Sequence, residues 1–478
     1  GLGGSVLGLA IASTLLGVLL RLAPPGIPRI ATTHIDGVVV VFTTALGILA
    51  GILFGVAPAL QVGRDQLVDA IKSGQRSTPP ARSRRLRALL VVAEISLSMV
   101  LLVTAGLLAR TLSSLGRVEL GFRTASVHTF DRLDVGRAMN PRATSTVFAS
   151  VLESLRNTQG IDAAGLTIGV PLDPRGRFYI DESPFWLDRE RPSAGDRDTA
   201  RMQVISDGYV EAIGAAILAG RAFDARDTPD APPVALVNRA FADRFFPRGD
   251  AVGHTLAHEL AVVPGQATRR VIVGVVGDVR QFRLDEPFTP QFFVPHAQMP
   301  WPSMALVVKG SLAAEPLMTA VRSAVRASAP TVAVPPGMAI EQQISASLAP
   351  PRLRAWIIAV VAGISLCLAA IGLYGTMAFA VQQRQVELAV RLVLGATSRQ
   401  ATFLVLRDGL LLAGAGTLLG AAAAWPVGRL MSVFLFGVSA FDPATMVSVA
   451  GVLCGISAVA SFLPARRVLR LDPARIIK

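Results

Sequence analysis

Two cysteines in 478 residues, Cys367 and Cys454, both inside apolar runs, leave no material for a disulfide framework or a thiolate metal cluster. Charge is also scarce. Asp, Glu, Lys and Arg make up 17% of the chain, against 52% hydrophobic residues and a mean hydropathy of +0.52, a balance of membrane proteins and not of soluble globules. No Gly-x-x-x-x-Gly-Lys-Ser/Thr occurs, so the chain lacks that phosphate-cradling loop and is not an ATPase by that route. The glycines of "VGVVGDV", Gly274 and Gly277, are far from a dinucleotide fingerprint. In "HTLAHE", His254 and His258 could share a helix face, but Thr255 stands where a zinc protease needs its glutamate and no third ligand is evident. No Ser/His/Asp or Cys/His set can be assembled from spacing. The expectation is a chain with no catalytic residue, no metal and no cofactor.

What is present is oil in long runs. Six stretches, about 2 to 20, 38 to 60, 88 to 109, 355 to 381, 409 to 428 and 444 to 463, are apolar over the ~18 or more residues that a helix needs to cross ~30 Å of hydrocarbon. The formal net charge of +13 suggests nucleic acid until the charges are located. Segment 61 to 87 holds Arg64, Lys72, Arg76, Arg82, Arg84, Arg85 and Arg87; segment 382 to 407 holds Arg384, Arg391, Arg399 and Arg407; the tail holds Arg466, Arg467, Arg470, Arg475 and Lys478. Only Asp65, Asp69, Glu387 and Asp472 oppose them. Lys and Arg collect in short cytoplasmic loops, so six alternating crossings put these three segments in the cytoplasm and residues 115 to 350 outside. Nucleic acid is not the partner. Membrane lipid is, since basic residues at the surface attract anionic headgroups.

The outer segment reads as a large α+β domain inserted between the third and fourth spans of an α-helical bundle. "RRVIVGVVGDV" and "ALVVK" are strand-like, whereas Val147, Phe148, Val151, Leu152 and Leu155 in "TSTVFASVLESLRN" give a helical apolar stripe. The alternation suggests two lobes, with "DRERPSAGDRDTAR" as an exposed loop or lobe connection.

The chain also repeats itself. "PALQVGRDQLVDAIK" from Pro58 and "PARRVLRLDPARIIK" from Pro464 align at a constant offset, with Pro58, Ala59, Val62, Arg64, Ile71 and Lys72 matching Pro464, Ala465, Val468, Arg470, Ile477 and Lys478. Upstream, Gly4 and Gly8 of "GSVLG" correspond to Gly416 and Gly420 of "GTLLG", each a Gly-x-x-x-Gly that lets helix backbones pack closely. Duplication is expected. Residues 1–75 then end a first unit with two spans and a cytoplasmic tail, and 76–87 form a basic linker. The second unit comprises its first span at 88–114, the outer domain at 115–350 and a further membrane part at 351–478.

Several of these stretches together resemble one family. "RLRALLVVAEISLSMVLLVTAGLLARTLSSLGRVELGF" resembles the first span of FtsX-like ABC transporter permeases. "GYVEAIGAAILAGRAFDARDTPDAPPVALVNRAFADRFFPRGDAVGHTL" and "VIVGVVGDVRQFRLDEPFTPQFFVPHAQ" resemble their MacB-like periplasmic core domain, and "RQVELAVRLVLGATSRQ" with "FDPATMVSVAGVLCGISAVASFLPARRVLRLDPARIIK" the carboxyl-terminal portion of the permease. With its repeat the chain looks like the carboxyl-terminal part of a duplicated orphan permease, lacking the first unit's early spans and outer domain, the complete protein being a fused pseudo-dimer. The resemblance implies a multi-pass protein of the bacterial inner membrane, with its carboxyl terminus in the cytoplasm. It implies a separate ABC-type ATPase whose closure on ATP is relayed through the spans by mechanotransmission, and substrate or a protein partner handled in the periplasm, as in efflux. A membrane-anchored sensor or scaffold without transport is the alternative.

Between the fourth and fifth apolar runs, Val386, Ala389, Val390 and Val393 form one apolar stripe while Glu387 and Arg391 sit in the favourable order for an ion pair. Gly395, followed by Ala396, supplies a helix stop. These four residues, Glu387, Arg391, Gly395 and Ala396, are the expected ATPase-coupling site, on a helix lying at the cytoplasmic surface. Glu94 is the one acid well inside a span; it reaches for the cytoplasmic interface or a basic neighbour, or it carries protons or substrate.

Overall fold

The computed structural model describes residues 2–22, 33–52, 81–136, 140–173, 180–188, 197–259, 267–384, 394 and 397–466. They form two compact units, one from residues 1–116 and 349–478 and the other from Arg117–Leu348.

The first unit is helical. It contains α1 (Leu2–Leu22), α2 (Gly37–Ile52) and α3 (Ala81–Leu115), and after the second unit α9 (Ala349–Gln383), α10 (Ser398–Leu430) and α11 (Pro443–Ala465). Among the described residues four helices, α3, α9, α10 and α11, are long and apolar enough to cross a membrane. That is fewer than the six apolar runs suggest. The apolar described parts of α1 and α2 are shorter, Leu2–Val18 and Gly37–Ile52, and residues 53–60 of the expected second span lie outside the described residues. The chain is a membrane protein. α3 and α9, with 35 residues each, measure about 52 Å at ~1.5 Å per residue and so overrun the hydrocarbon. The helices begin where local chemistry permits. Asp442 caps α11 by accepting from the Thr445 amide at 2.9 Å, with Pro443 at the first helical position. Thr397 and Gln400 make a reciprocal capping box that starts α10.

The second unit is built on one eleven-stranded sheet. In chain order its elements are β1 (Val127–Asp134), α4 (Pro141–Arg156), β2 (Ile161–Thr167), β3 (Ile180–Leu187), β4 (Asp198–Ile205), α5 (Tyr209–Ile213), β5 (Ile217–Gly220), β6 (Val234–Asn238) and α6 (Arg239–Phe245). They continue with β7 (Thr255–Glu259), β8 (Ala267–Val276), β9 (Gln291–Pro295), β10 (Ser303–Gly310), α7 (Ala314–Ser328), β11 (Gly337–Ala339) and α8 (Ile340–Ser347). At one end the strands run β11, β1, β10, β2, all antiparallel, under α4 and α7. Phe130, Phe148, Leu155, Leu166, Leu306 and Val321 form the core there. The apolar stripe of α4 is buried at Phe148, Val151, Leu152 and Leu155, with Val147 at its margin.

At the other end β4, β3, β7, β8, β6 and β9 follow one another and β9 pairs back onto β4, so these six strands close a ring. Its filling is aromatic. Phe185, Phe241 and Phe292 are fully buried, and the Phe185 and Phe241 rings lie 5.0 Å apart. The expected strands at "RRVIVGVVGDV" and "ALVVK" are β8 and β10. Two expectations change. The lobes share one continuous sheet, because β4 pairs with β3 and, at Ile205, with β2 along one edge and with β9 along the other. The end of the expected loop "DRERPSAGDRDTAR", from Asp198 to Arg201, is the start of β4, its alternation hidden by the charges flanking it; residues 189–196 lie outside the described residues.

Candidate functional site: a polar seam through the helix bundle

In the membrane unit α3 packs against α9, α10 and α11. Glycines set how close these helices come. A Cβ on Gly416 of α10 would stand 2.8 Å from the Ile95 Cβ and 3.0 Å from the Val92 carbonyl oxygen, and one on Gly420 would stand 2.5 Å from Met99 Cβ and 2.7 Å from the Ser96 carbonyl oxygen. One edge of α10 thus lies directly on α3, and the Ser96 hydroxyl donates to the Gly416 carbonyl at 2.8 Å. A Cβ added to Gly4 or Gly8, both on α1, would meet nothing within 4 Å among the described residues. The sequence places both glycine pairs on equal footing; among the described residues, it is Gly416 and Gly420 that lie against a partner.

Polar side chains run along the interior of this bundle. Ser98 of α3 and Ser365 of α9 share a buried hydrogen bond of 2.7 Å, worth keeping in hydrocarbon because water is absent to replace it. Glu94 lies against Gly372 of α9, where an added Cβ would come 2.5 Å from Oε2. The ends of the bundle are tied by charge. Arg110 of α3 pairs with Asp442, the cap of α11, and the Thr445 hydroxyl bonds the same carboxylate. At the other end Arg384, just past α9, meets Asp408 of α10 at 3.0 Å, and the Arg87 guanidinium of α3 lies 4.0 Å from the Phe379 ring centroid on α9. None of these pairs is evident from periodicity. The one legible signal was local, Asp-Pro-Ala-Thr at 442–445 as a helix cap.

Glu387, Arg391, Gly395 and Ala396 lie outside the described residues. The residues on either side are described: Arg384, just past α9, pairs with Asp408 of α10, and Thr397 caps the start of α10.

In the outer unit, His254 and His258 are not on a helix. His258 is in β7, and its Nε2 accepts from Arg270 Nε at 3.1 Å. Burial, and next the nearby Arg270 charge, hold the His258 pKa down at about 3, so its ring is neutral, as that bond requires. His254 is separate, with Nδ1 2.5 Å from Asp188 and its ring centroid 4.9 Å from that of Phe246. Its hydrogen bond to Asp188 raises the His254 pKa above 6.5. Stability from this pair is therefore complete below 6.5 and lost as pH rises through the folded value. In His254→Gln the unfolding midpoint of the full chain should lose that part of its pH dependence, which thermal melts across the neutral range would measure.

Comparison with known proteins meets the geometry in the membrane unit. Residues 359–473 match the family described as FtsX-like permease C-terminal. This part of the chain is an FtsX-like permease domain. It contains most of α9 and all of α10 and α11, while α3, which completes the packing of that FtsX-like domain, comes from outside the matched stretch. A curated relative, the pyoverdine export ATP-binding/permease protein PvdT of Pseudomonas putida, is 32% identical over 118 residues, which is 24% of this chain and 18% of that protein. The chain thus aligns with less than a fifth of that relative's length. Among solved structures, the periplasmic region of MacB from Actinobacillus actinomycetemcomitans is 12% identical with a TM-score of 0.31, covering 47% of this chain and 94% of that one. A domain of a putative permease from Porphyromonas gingivalis is also 12% identical, with a TM-score of 0.29, covering 43% and 86%. The extracellular domain of the noncanonic ABC-type transporter YknZ from Gram-positive bacteria, again 12% identical, has a TM-score of 0.27 and covers 43% and 98%.

Proposed function

We propose that the chain is a non-catalytic permease part of an ATP-driven export or envelope-remodelling system, in which a separate ABC-type ATPase works on the cytoplasmic side and motion passes through the bundle to the Arg117–Leu348 unit in the periplasm. The observation that carries this reading is the FtsX-like permease match over residues 359–473. The name of the PvdT relative, which joins export to ATP binding, agrees with it. The basic segments around 61–87, 382–407 and beyond 465 favour the cytoplasmic side for the carboxyl terminus. Close backbone packing of α10 on α3, with charge pairs at both ends, is what a bundle needs to move as a stiff body.

In this reading the segment bearing Glu387, Arg391, Gly395 and Ala396 meets the ATPase, and a push there reaches α9 and α10 on either side of it. Replacing Glu387 and Arg391 together by alanine is expected to abolish stimulation of the copurified ATPase while membrane insertion stays intact. ATP hydrolysis in reconstituted membranes measures the first and protease protection the second. If native membranes yield no ATPase with the chain, and none is stimulated by it, a membrane-anchored scaffold replaces the transporter.

A further inference from the structure

Glu94 has no part in the proposed relay, yet it is the one carboxylate placed along the middle of α3. It is half-buried, its Oε2 faces the backbone of Gly372, and among the described residues it has neither a hydrogen-bond nor an ion-pair partner. The groups on the surrounding helices do not answer it. On α3 the nearest cation, Arg87, is engaged on the Phe379 ring toward the cytoplasmic end. On α9 the only titratable groups between Arg354 and Arg384 are Cys367 and Tyr374, and Tyr374 lines an apolar groove with Gly455 and Val459. On α10 Arg407 and Asp408 lie near its start, Asp408 being paired with Arg384, and the stretch facing α3 presents Gly416 and Gly420. On α11 no charged residue occurs between Asp442 and Arg466, Cys454 being the one titratable group. The Gly372 carbonyl already accepts from the Thr376 hydroxyl at 2.9 Å.

An ionised carboxylate in this setting is opposed by the hydrocarbon, and no cation or donor set is there among the described residues to compensate it. A metal is a poor occupant, since among the described residues no group of His, Cys, Asp or Glu gathers to hold one. We propose that Glu94 is a proton-binding site of the bundle, carrying its proton at neutral pH and resting as a neutral acid on the Gly372 backbone. The assignment is independent of the relay. A neutral acid packs at the α3 and α9 crossing where a charge would draw in water, so the bound proton keeps that crossing dry and closed.

The probe is dicyclohexylcarbodiimide, an apolar reagent to which a protonated carboxyl adds, giving an O-acylisourea that rearranges to a stable N-acylurea. The full chain in phospholipid vesicles is treated over a series of pH values, and adducts are located by peptide mass spectrometry. The expected result is an adduct on Glu94 at neutral pH that declines as pH rises and is absent from Glu94→Gln. Because glutamine is the neutral isostere, Glu94→Gln should insert and melt as the parent chain does. Labelling of Asp408 or Asp442 with none at Glu94 overturns the proposal. So does a Glu94→Gln chain that fails to fold or loses thermal stability, since that outcome means the carboxylate is ionised and paired.

Discussion

Gly420→Leu is expected to disrupt the membrane bundle, while Gly414→Leu on another face of the same helix leaves it folded. The difference is one of space. At Gly420 even a Cβ would stand 2.5 Å from Met99 Cβ and 2.7 Å from the Ser96 carbonyl oxygen, so both a side chain and the α3 backbone itself must retreat. Overpacking of a filled interior costs roughly 1–3 kcal/mol where side chains can adjust, and a backbone that cannot rotate away puts leucine here at or beyond the upper end. Moving α3 outward would also stretch the Ser96 to Gly416 hydrogen bond, now 2.8 Å, and loosen the neighbouring contact at Ile95. At Gly414 nothing lies within 4 Å, so a leucine side chain meets open space. The fraction of chain that stays monodisperse after gentle solubilisation, compared among the parent and the two variants, measures the effect. Equal behaviour of the two variants would remove the close α3 and α10 packing described here.

In the outer unit the largest effect is expected from Phe241→Ala. Phe241 is fully buried inside the six-strand ring, with ring centroids 5.0 Å from Phe185 and 4.8 Å from Phe245. Its helix is short and held by side chains. Asn238 caps it by accepting from the Phe241 amide at 3.0 Å and donates to Asp278 at 2.7 Å, so the backbone cannot readily collapse into the space vacated. Truncation of a phenylalanine in such a core costs about 3–5 kcal/mol, with the lost aromatic pairs included. For a unit of this size that is a drop of ~10 °C in the melting midpoint. Thermal denaturation of the full chain, followed by near-ultraviolet dichroism, reads it; a shift within error would mean that the aromatic cluster is not the centre of this core.

Both effects depend on features that the linear pattern conveys only in part. The membrane helices are legible because a helix in hydrocarbon satisfies its own backbone, so length and apolarity suffice to find α3, α9, α10 and α11. The strands β8 and β10 are legible as short β-branched runs, and α4 as a 3.6-residue stripe. The start of β4 was not, because its first residues are charged and polar and only pairing with β3 and β9 makes them a strand. The pairs Arg110 with Asp442 and Ser98 with Ser365 were equally hidden, since their members come from distant parts of the chain. The proposed coupling role of Glu387, Arg391, Gly395 and Ala396 stays a reading of the local pattern and of family resemblance.

Sequence alone determined that this protein lives in a membrane and where its charge collects, because solvation by lipid is decided residue by residue along each helix. Which glycines meet a neighbour could only come from tertiary structure. Gly4, Gly8, Gly416 and Gly420 share one spacing, but a Gly-x-x-x-Gly acts only where another backbone lies across it, and among the described residues that is true of Gly416 and Gly420. The closure of six strands into a ring is decided in the same way, by hydrogen bonds between segments far apart in the chain, for which no local propensity exists.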